Sequence, residues 1–463
     1  MKHSTYTKYI ILFIFFLSKY ASLQAQMYNG KDTLYGNEWI DYNQIYYKIK
    51  VSENAMYRLS GTLLLQNGID LKSINGNRFQ IYKNGLEIPI YVSSNQNPLN
   101  TNDYIEFFGE KNGTEFDEYL YANPKVEMLN TKYSLFTDTS CYYLTWNNSK
   151  TGKRFTPFAN NLNNLPTKDT YYYEYETQVF SNNHSKKYIY QSTDKIYDSR
   201  FDTGEGFFSG FETSRDIKFL PTNINSSISE SNCIIRYVSR IDQNNVSFSM
   251  NGTNILQETK SWYNVTEDTI LLSTNLLSSG ANLKITGDVG IAFATLQYPR
   301  NFDFSGKSYV EINLAASTTE KYLEITNFVT GSKNPTIYDI TNQLRLDGIL
   351  ENNILKIKLP PSIKERKIII NAENGLKTVN NIEKINFIDF SSNPNTNYYI
   401  ITNKKLYYDG AGQNWVQQYA DYRSSIEGGN YKVSIIEIEE LYNQYGYGIS
   451  RSPQSFRNFG HHI

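Results

Sequence analysis

Thiols and imidazoles are scarce in this chain, and their placement limits the chemistry it can do. There are two cysteines, Cys141 and Cys233, and after the first few residues the histidines are His184, His461 and His462. A nucleophilic thiol needs an imidazole or another cation to hold it as thiolate. Neither cysteine has one near it in sequence. Both lie in apolar runs, SCYYLTW and NCIIRYV, the setting of buried and inert thiols. Two buried thiols is the plainer reading; in an exported protein a disulfide between them is the alternative, and spacing alone cannot fix pairing. His461 and His462 are neighbours on an expected helix and point about 100° apart, whereas chelation from one helix takes residues i and i+4. His184 stands alone in a polar stretch and is expected in solvent. Glu437, Glu439 and Glu440 cluster at a helix start, where the helix N-terminus favours negative charge. Asp202 and Glu205 flank Gly204 and Gly206 but offer too few oxygens for calcium, which takes about six or more. That loop is expected to be a turn packing Phe207 and Phe208. Triplets such as Asn251-Gly252-Thr253 arise readily in an Asn-rich chain. No catalytic, cofactor-binding or metal-binding residue is assigned.

The elements that would position such groups are mostly strands. Tyr, Phe and Trp number 40, 25 and 4 in 463 residues, and aromatic side chains favour pleated, half-buried surfaces. The length corresponds to about three domains. Lys+Arg and Asp+Glu are balanced at 45 and 46, a net charge of -1. That balance argues against a nucleic-acid partner and against strong attraction to anionic lipid. Residues 1–25 read as a secretory leader: Lys2 and Lys8 are basic, Ile10 to Leu17 is apolar, and Ala25 precedes the expected cleavage point. The apolar core is far short of the ~20 residues of a membrane span. No second such run follows, so the mature chain is expected to be exported, without a transmembrane span.

Ile45, Tyr47, Ile49 and Val51 alternate with Tyr46, Lys48 and Lys50, which predicts a strand with one buried face. Leu63 to Gln66 reads as a short helix stopped by Gly68. Asn84-Gly85 and Asn251-Gly252 suit two-residue hairpin turns. Strands are expected at Asp103–Gly109 and Cys141–Trp146, and the Asn-rich stretch Thr156–Asp169 reads as a linker. Further strands are expected at Tyr171–Phe180, Ile234–Val238, Val246–Met250, Leu283–Thr286, Tyr309–Leu314, Leu323–Phe328, Ile354–Leu359 and Lys367–Ile370. Short strands at regular spacing indicate β-sandwiches. Near Asn393 the pattern changes. Tyr398–Thr402 is an apolar strand; Trp415, Tyr419, Tyr422 and Ile426 recur at helical spacing; Lys432–Glu437 is a second strand. Ile438–Tyr445 is helical, and Ser452-Pro453 opens a last helix. Strand–helix–strand marks the start of a parallel α/β layer. The expected units are the leader 1–25, an N-terminal β domain 27–165, a β-sandwich region 166–392, and an α/β start at 393–463. Two strands cannot bury a sheet, so that last unit is expected to be truncated.

From Tyr398 the sequence resembles the opening of the gingipain family of cysteine peptidases. The stretches are YYIITN at Tyr398–Asn403, VQQYADYRSSIEGGNYKVSIIEIEELYNQYGYG at Val416–Gly448 and SPQSFRNF at Ser452–Phe459. Upstream, YYKIKVSENAMYRLS at Tyr46–Ser60, KNGLEIPIYV at Lys83–Val92, DYIEFFGEKNG at Asp103–Gly113 and YSLFTDTSCYYLTW at Tyr133–Trp146 are similar to the N-terminal extension of the PorU-like members, the sortases of type IX secretion. RFDTGEGFF at Arg200–Phe208, LQYPR at Leu296–Arg300 and NPTIYDIT at Asn334–Thr341 continue that resemblance in order. It implies a caspase-like catalytic domain with a Cys–His dyad, no cofactor, and exported proteins or secretion components as partners. It also implies a place in the periplasm, on the outer membrane surface or outside the cell. The family's catalytic His and Cys lie later than these motifs. No cysteine follows Cys233, and His461-His462 occupies a structural helix, so no catalytic residue carries over. The other reading is a non-catalytic, exported β-sandwich module that binds proteins or glycans through its aromatic side chains.

Overall fold

The computed structural model describes residues 27–186, 201, 203–278, 280–392 and 395–463. The leader at 1–25, Asp202 and Asn393 lie outside the described residues. The fold is mainly β, followed by an α/β segment.

The first strands form a sandwich. β1 (Tyr46–Val51) and β2 (Ala55–Ser60) turn back on each other into different sheets, and α1 (Gly61–Gln66) follows, capped by Ser60, whose Oγ accepts from the Leu63 amide at 3.1 Å. β3 (Phe79–Lys83) leads into a hairpin at Asn84-Gly85, where both φ angles are positive, 47° and 76°, as the tight turn requires. β4 (Tyr104–Gly109) pairs with β2, and β5 (Ser140–Trp146) lies between β1 and β3. Between the sheets, Ile49, Leu59, Ile105, Phe107, Tyr142 and Leu144 form one core. Each sheet also takes a strand from far downstream: Lys377–Thr378 runs parallel to β2, and Glu383–Ile385 runs antiparallel to β1. The chain therefore returns to its first sandwich before it enters the α/β segment.

The middle of the chain is organised by a twelve-stranded sheet. Its strands include β6 (Tyr172–Val179), β7 (Glu230–Ser239), the 20-residue β8 (Ala281–Arg300), β9 (Tyr309–Leu314), β10 (Thr336–Asp339) and β11 (Arg366–Asn371). β8 pairs with β6, β7, Phe211–Phe219 and Asn244–Met250. Two cores flank it, one built on β7 and β8, the other on β9 and β11. The stretch expected as a linker lies along this region. Thr156–Pro157 pairs in parallel with Leu344–Arg345, and the Asn160 side chain donates to the carbonyls of Asp347 and Lys356 at 3.0 and 2.9 Å. Tyr338 Oη donates to Glu106 Oε2 at 2.6 Å, and Lys367 Nζ reaches Glu110 at 2.7 Å, which ties the large sheet to β4 and the loop after it.

The α/β segment has two parallel strands, β12 (Tyr398–Thr402) and β13 (Val433–Glu437), joined through α2 (Trp415–Ser424). α3 (Ile438–Tyr445) and α4 (Pro453–His462) follow, with Pro453 in the first turn of α4. The aromatic stripe on α2 does form a helix, but Trp415 is 56% exposed, and of α2's residues Ala420 is the one buried.

The period-two reading of β1 needs correction. It places Lys48 in solvent, yet Lys48 is 6% exposed, and Ile45, expected in the core, is 37% exposed. β1 is buried on its second face because α3 lies there.

Candidate functional site

The seam between the α/β segment and the first sandwich is where the molecule concentrates buried polar groups. On the outer face of β1 and β5, Tyr46, Cys141 and Tyr143 form an apolar floor with Ile385. Trp39 packs on it edge-on to Tyr46 at 5.4 Å and tilted against Tyr143 at 5.1 Å. α3 closes over this floor. Lys48 Nζ donates to Asn443 Oδ1 at 2.6 Å, and Tyr143 Oη donates to the Asn443 carbonyl at 3.3 Å. A buried ammonium is costly unless it is hydrogen-bonded, so Asn443 is the group that makes Lys48 tolerable there. Burial raises the Tyr143 hydroxyl pKa well above its ordinary value, which keeps it a neutral donor.

The loop after α3 is seated as closely. Cys141 Sγ approaches the Gly448 carbonyl at 3.5 Å, and Gly448 has φ +85°. A β-carbon on Gly448 would stand 2.6 Å from Cys141 Cβ and 2.7 Å from Tyr143 Oη. Glycine is therefore required twice, by conformation and by space. Gln444 Nε2 donates to Tyr42 Oη at 2.6 Å, and Asn458 of α4 donates to the Tyr445 carbonyl at 2.9 Å. Arg457 reaches the Tyr119 carbonyl at 3.2 Å. Phe459 packs edge-on to Tyr445 and Phe390, and Tyr445 lies tilted against Phe390, which closes a small core between α3, α4 and β13.

The residues singled out by type fall around this seam or far from it. Cys141 is in its floor, 4% exposed, and burial pushes its thiol pKa up. The charged groups around it are Lys48, Lys50, Glu383 and Glu439, with no imidazole among them. Cys233 lies in the large sheet; burial pushes its thiol up to about 12. Both cysteines are free and buried, and burial disfavours the thiolate that a nucleophile needs at each. His462 Nδ1 meets Tyr445 Oη at 3.0 Å and its ring lies against Tyr35, while His461 is exposed. Among the described residues no cluster of acidic, His or Cys side chains is arranged to hold a metal.

Of the acidic trio, Glu439 is exposed and Glu437 precedes α3. Glu440 is the perturbed one: burial raises its pKa to about 7, partly opposed by the Ile388 amide that donates to it at 2.9 Å. The Gly204–Gly206 turn is held through backbone, since the Glu205 carbonyl accepts from Tyr121 Oη at 2.9 Å and the Leu129 amide at 3.3 Å. Phe208 is buried beside Leu129, and Phe207 packs edge-on to Tyr133. His184 is exposed, as expected, but on a strand. It sits on the strand Asn183–Ser185, paired with Gly206–Phe208, with its ring edge-on to Phe207 at 5.0 Å. Burial and Lys186 hold its pKa below the ordinary imidazole value.

The Lys48–Asn443 pair escaped sequence reasoning. The available signal was SCYYLTW, which is apolar on both faces and therefore requires a cover on the outer face of its neighbour β1.

Comparison with known proteins matches this geometry. Residues 391–463 match peptidase family C25. The C25 segment thus comprises β12, α2, β13, α3 and α4. Across the chain, the fold is that of dimeric latent PorU from Porphyromonas gingivalis, at 14% identity and a TM-score of 0.57. The alignment covers 90% of this chain and 39% of that one, so the chain spans well under half of that protein's length. Two further structures align with TM-scores too low to indicate a common fold. The C-terminal carbohydrate-binding module (CBM6) of LamC from Zobellia galactanivorans aligns over 27% of this chain and 98% of its own, at 12% identity and TM-score 0.16. The delta-endotoxin Cry8Ea1 of Bacillus thuringiensis aligns over 49% and 42%, at 11% identity and TM-score 0.16. No curated protein sequence matches the chain.

Proposed function

We propose that this chain is the N-terminal part of an exported, gingipain-like cysteine peptidase of the PorU type, in which the β region carries the C25 segment and a Cys–His dyad lying beyond Ile463 performs the chemistry. On this reading 1–25 is a leader, 27–165 and 166–392 are β units, and 393–463 begins the catalytic domain. Among the described residues, no helix is long and apolar enough to cross a membrane.

The observation that carries the proposal is the asymmetry of the C25 segment. The α3–α4 side is docked. The β12–β13 sheet has two strands, and neither outer edge is paired among the described residues. Beside it, Leu406, Trp415, Tyr419, Tyr422 and Ile426 are exposed. Unpaired edges and exposed apolar side chains favour association, and further strands and helices of the same domain would cover both.

In the complete enzyme the thiolate attacks a peptide carbonyl of an exported protein to form an acyl-enzyme, and the imidazole protonates the leaving amine. Water then releases the acyl group as a hydrolysis product, or an acceptor amine releases it as a transpeptidation product. This chain contributes position: Lys48, Tyr143 and Gly448 fix α3 and the loop after it, and hence the sheet on which later residues build.

The test is an immunoblot of the native cells with serum against residues before 393, combined with an acyloxymethyl-ketone probe for reactive cysteines. The expected result is a probe-labelled band above the 53.6 kDa of this chain. An unlabelled, soluble band at or below that mass overturns the proposal in favour of a binding module.

A further inference from the structure

The segment Thr170–Thr177 reads TYYYEYET, a density of tyrosine that the docking of the C25 segment does not use. In a strand, alternate residues face opposite sides. The even positions go inward: Tyr172 is buried against Phe302 and Phe304, and Glu174 pairs with Arg300 at 2.8 Å. The odd positions, Tyr171, Tyr173 and Tyr175, therefore share the other face.

That face is open because two strands splay. β6 pairs with β8 over its whole length, from Tyr172↔Arg300 to Val179↔Phe293, but with β9 only at Tyr173↔Asn313. Where β9 leaves β6, a cleft of about 450 Å³ remains, lined by Tyr171, Tyr173, Tyr175, Asn313, Lys321 and Glu365 among others. Its walls are fixed. Tyr171 and Tyr173 meet edge-on at 5.6 Å, Gln297 Nε2 donates to Tyr175 Oη at 2.8 Å, and Lys321 pairs with Asp169 at 2.7 Å. Glu365 and Asn313 make no side-chain hydrogen bond among the described residues, and the Glu365 charge acts on Tyr175. The cleft thus combines tyrosine rings held in place with unspent hydrogen-bonding groups, in a volume within the range of small-ligand sites.

We propose that the splay between β6 and β9 is a binding site for a neutral saccharide. A pyranose ring has one face of C–H groups and a rim of hydroxyls. The C–H face suits a tyrosine ring, and the hydroxyls suit an amide and a free carboxylate, which accepts strong hydrogen bonds. The lysines beside the cleft are already paired, Lys321 with Asp169 and Lys168 with Glu324. The charges that remain are negative, the Glu365 carboxylate beside Tyr175 and the Glu230 carboxylate acting on Tyr173, and they disfavour acidic sugars. This site is independent of the peptidase proposal, since none of its residues belongs to the C25 segment.

The test is calorimetric titration of the whole chain with maltotriose, cellotriose and chitotriose, and with trigalacturonate as the acidic counterpart. At least one neutral trisaccharide is expected to bind, and trigalacturonate to bind at least tenfold more weakly. Tyr173→Ala is expected to weaken binding about tenfold, while Tyr175→Phe, which keeps the ring, stays within about threefold. Thermal melting of each variant checks its folding; if Tyr173→Ala does not fold, Asn313→Ala on the opposite wall takes its place with the same expected loss. Binding by none of the neutral sugars, binding unchanged in Tyr173→Ala or its replacement, or a preference for trigalacturonate would each overturn the proposal. So would tight binding of a Pro-rich peptide in place of any sugar, because aromatic grooves also accept extended proline segments.

Discussion

The two halves of the C25 segment are treated very differently by the rest of the chain. α3 buries Leu441, Tyr442, Asn443, Gln444 and Tyr445 against the first sandwich and α4, and its polar groups find partners there. α2, of comparable length and aromatic content, buries Ala420 and leaves Trp415 56% exposed, and Ile426 just beyond its end is 86% exposed. The difference teaches where the β region acts. It grips the helices after β13 and leaves the β12–α2 side free, so it behaves as a base for one edge of the α/β layer.

The sharpest way to break that contrast is at Gly448. Gly448→Ala forces a β-carbon into positive φ and into contact with Cys141 and Tyr143. The combined strain and overpacking are expected to cost about 3 kcal/mol or more. Urea unfolding with a probe in α3 reads this, and an unchanged midpoint would show the seat to be loose.

Asn443→Leu is next. It leaves the Lys48 ammonium buried without its acceptor, at a cost of about 2–4 kcal/mol. Adding Lys48→Met removes the stranded charge, and the double variant is expected to recover a large part of the loss. Additive effects would mean that the two residues do not act as a pair.

Tyr338→Phe removes a hydroxyl that donates to buried Glu106. It is expected to cost about 1–2 kcal/mol and to loosen the large sheet from β4 while the α3 seam stays intact. A loss of protection at α3 in this variant would join two contacts that the structure keeps apart.

Glu440 sharpens the comparison through pH. Its pKa is raised from 4.5 to about 7 by burial near the seam. Between these values the unfolded chain ionises while the folded carboxyl stays protonated, so the folded state binds more protons and stability falls as pH rises through that window. Asp117, raised from 3.8 to about 6, acts in the same direction. Glu440→Gln is expected to flatten the melting temperature between about pH 5 and 7, leaving the slope due to Asp117 and to Asp268, which is also raised to about 6. An identical pH profile would place the Glu440 carboxyl in solvent.

The smallest effect is expected on the open side. Ile426→Lys touches no buried contact and should change stability by less than about 0.5 kcal/mol. A large loss would mean that α2 is docked.

Much of this architecture was legible in residue patterns, and the failures follow one rule. Period-two alternation located β1, and Asn-Gly pairs located two hairpins because their positive φ has a chemical signature. Segments covered on both faces misled. Lys48 was assigned to solvent because a strand cannot announce that a helix some 400 positions later will lie on it, as the Lys48–Asn443 contact shows. β8 was read only at Leu283–Thr286; Gly287, with φ +122°, follows directly and marks an irregularity inside what is a 20-residue strand. The tyrosines of TYYYEYET were visible as a strand, but the cleft they line depends on β9 leaving β6 after one pair, which no local pattern records. The cysteines are buried for the same reason that strands were legible: apolar runs bury what they contain.

Hydrogen exchange on the intact chain tests the docking asymmetry most directly. The expected result is slow exchange in α3 and α4, close to that of β1 and β5, and fast exchange in α2 and at the outer edges of β12. Equal protection of α2 and α3, or exchange of α3 at the rate of a free helix, would contradict the view that the β region holds the C25 segment by one side.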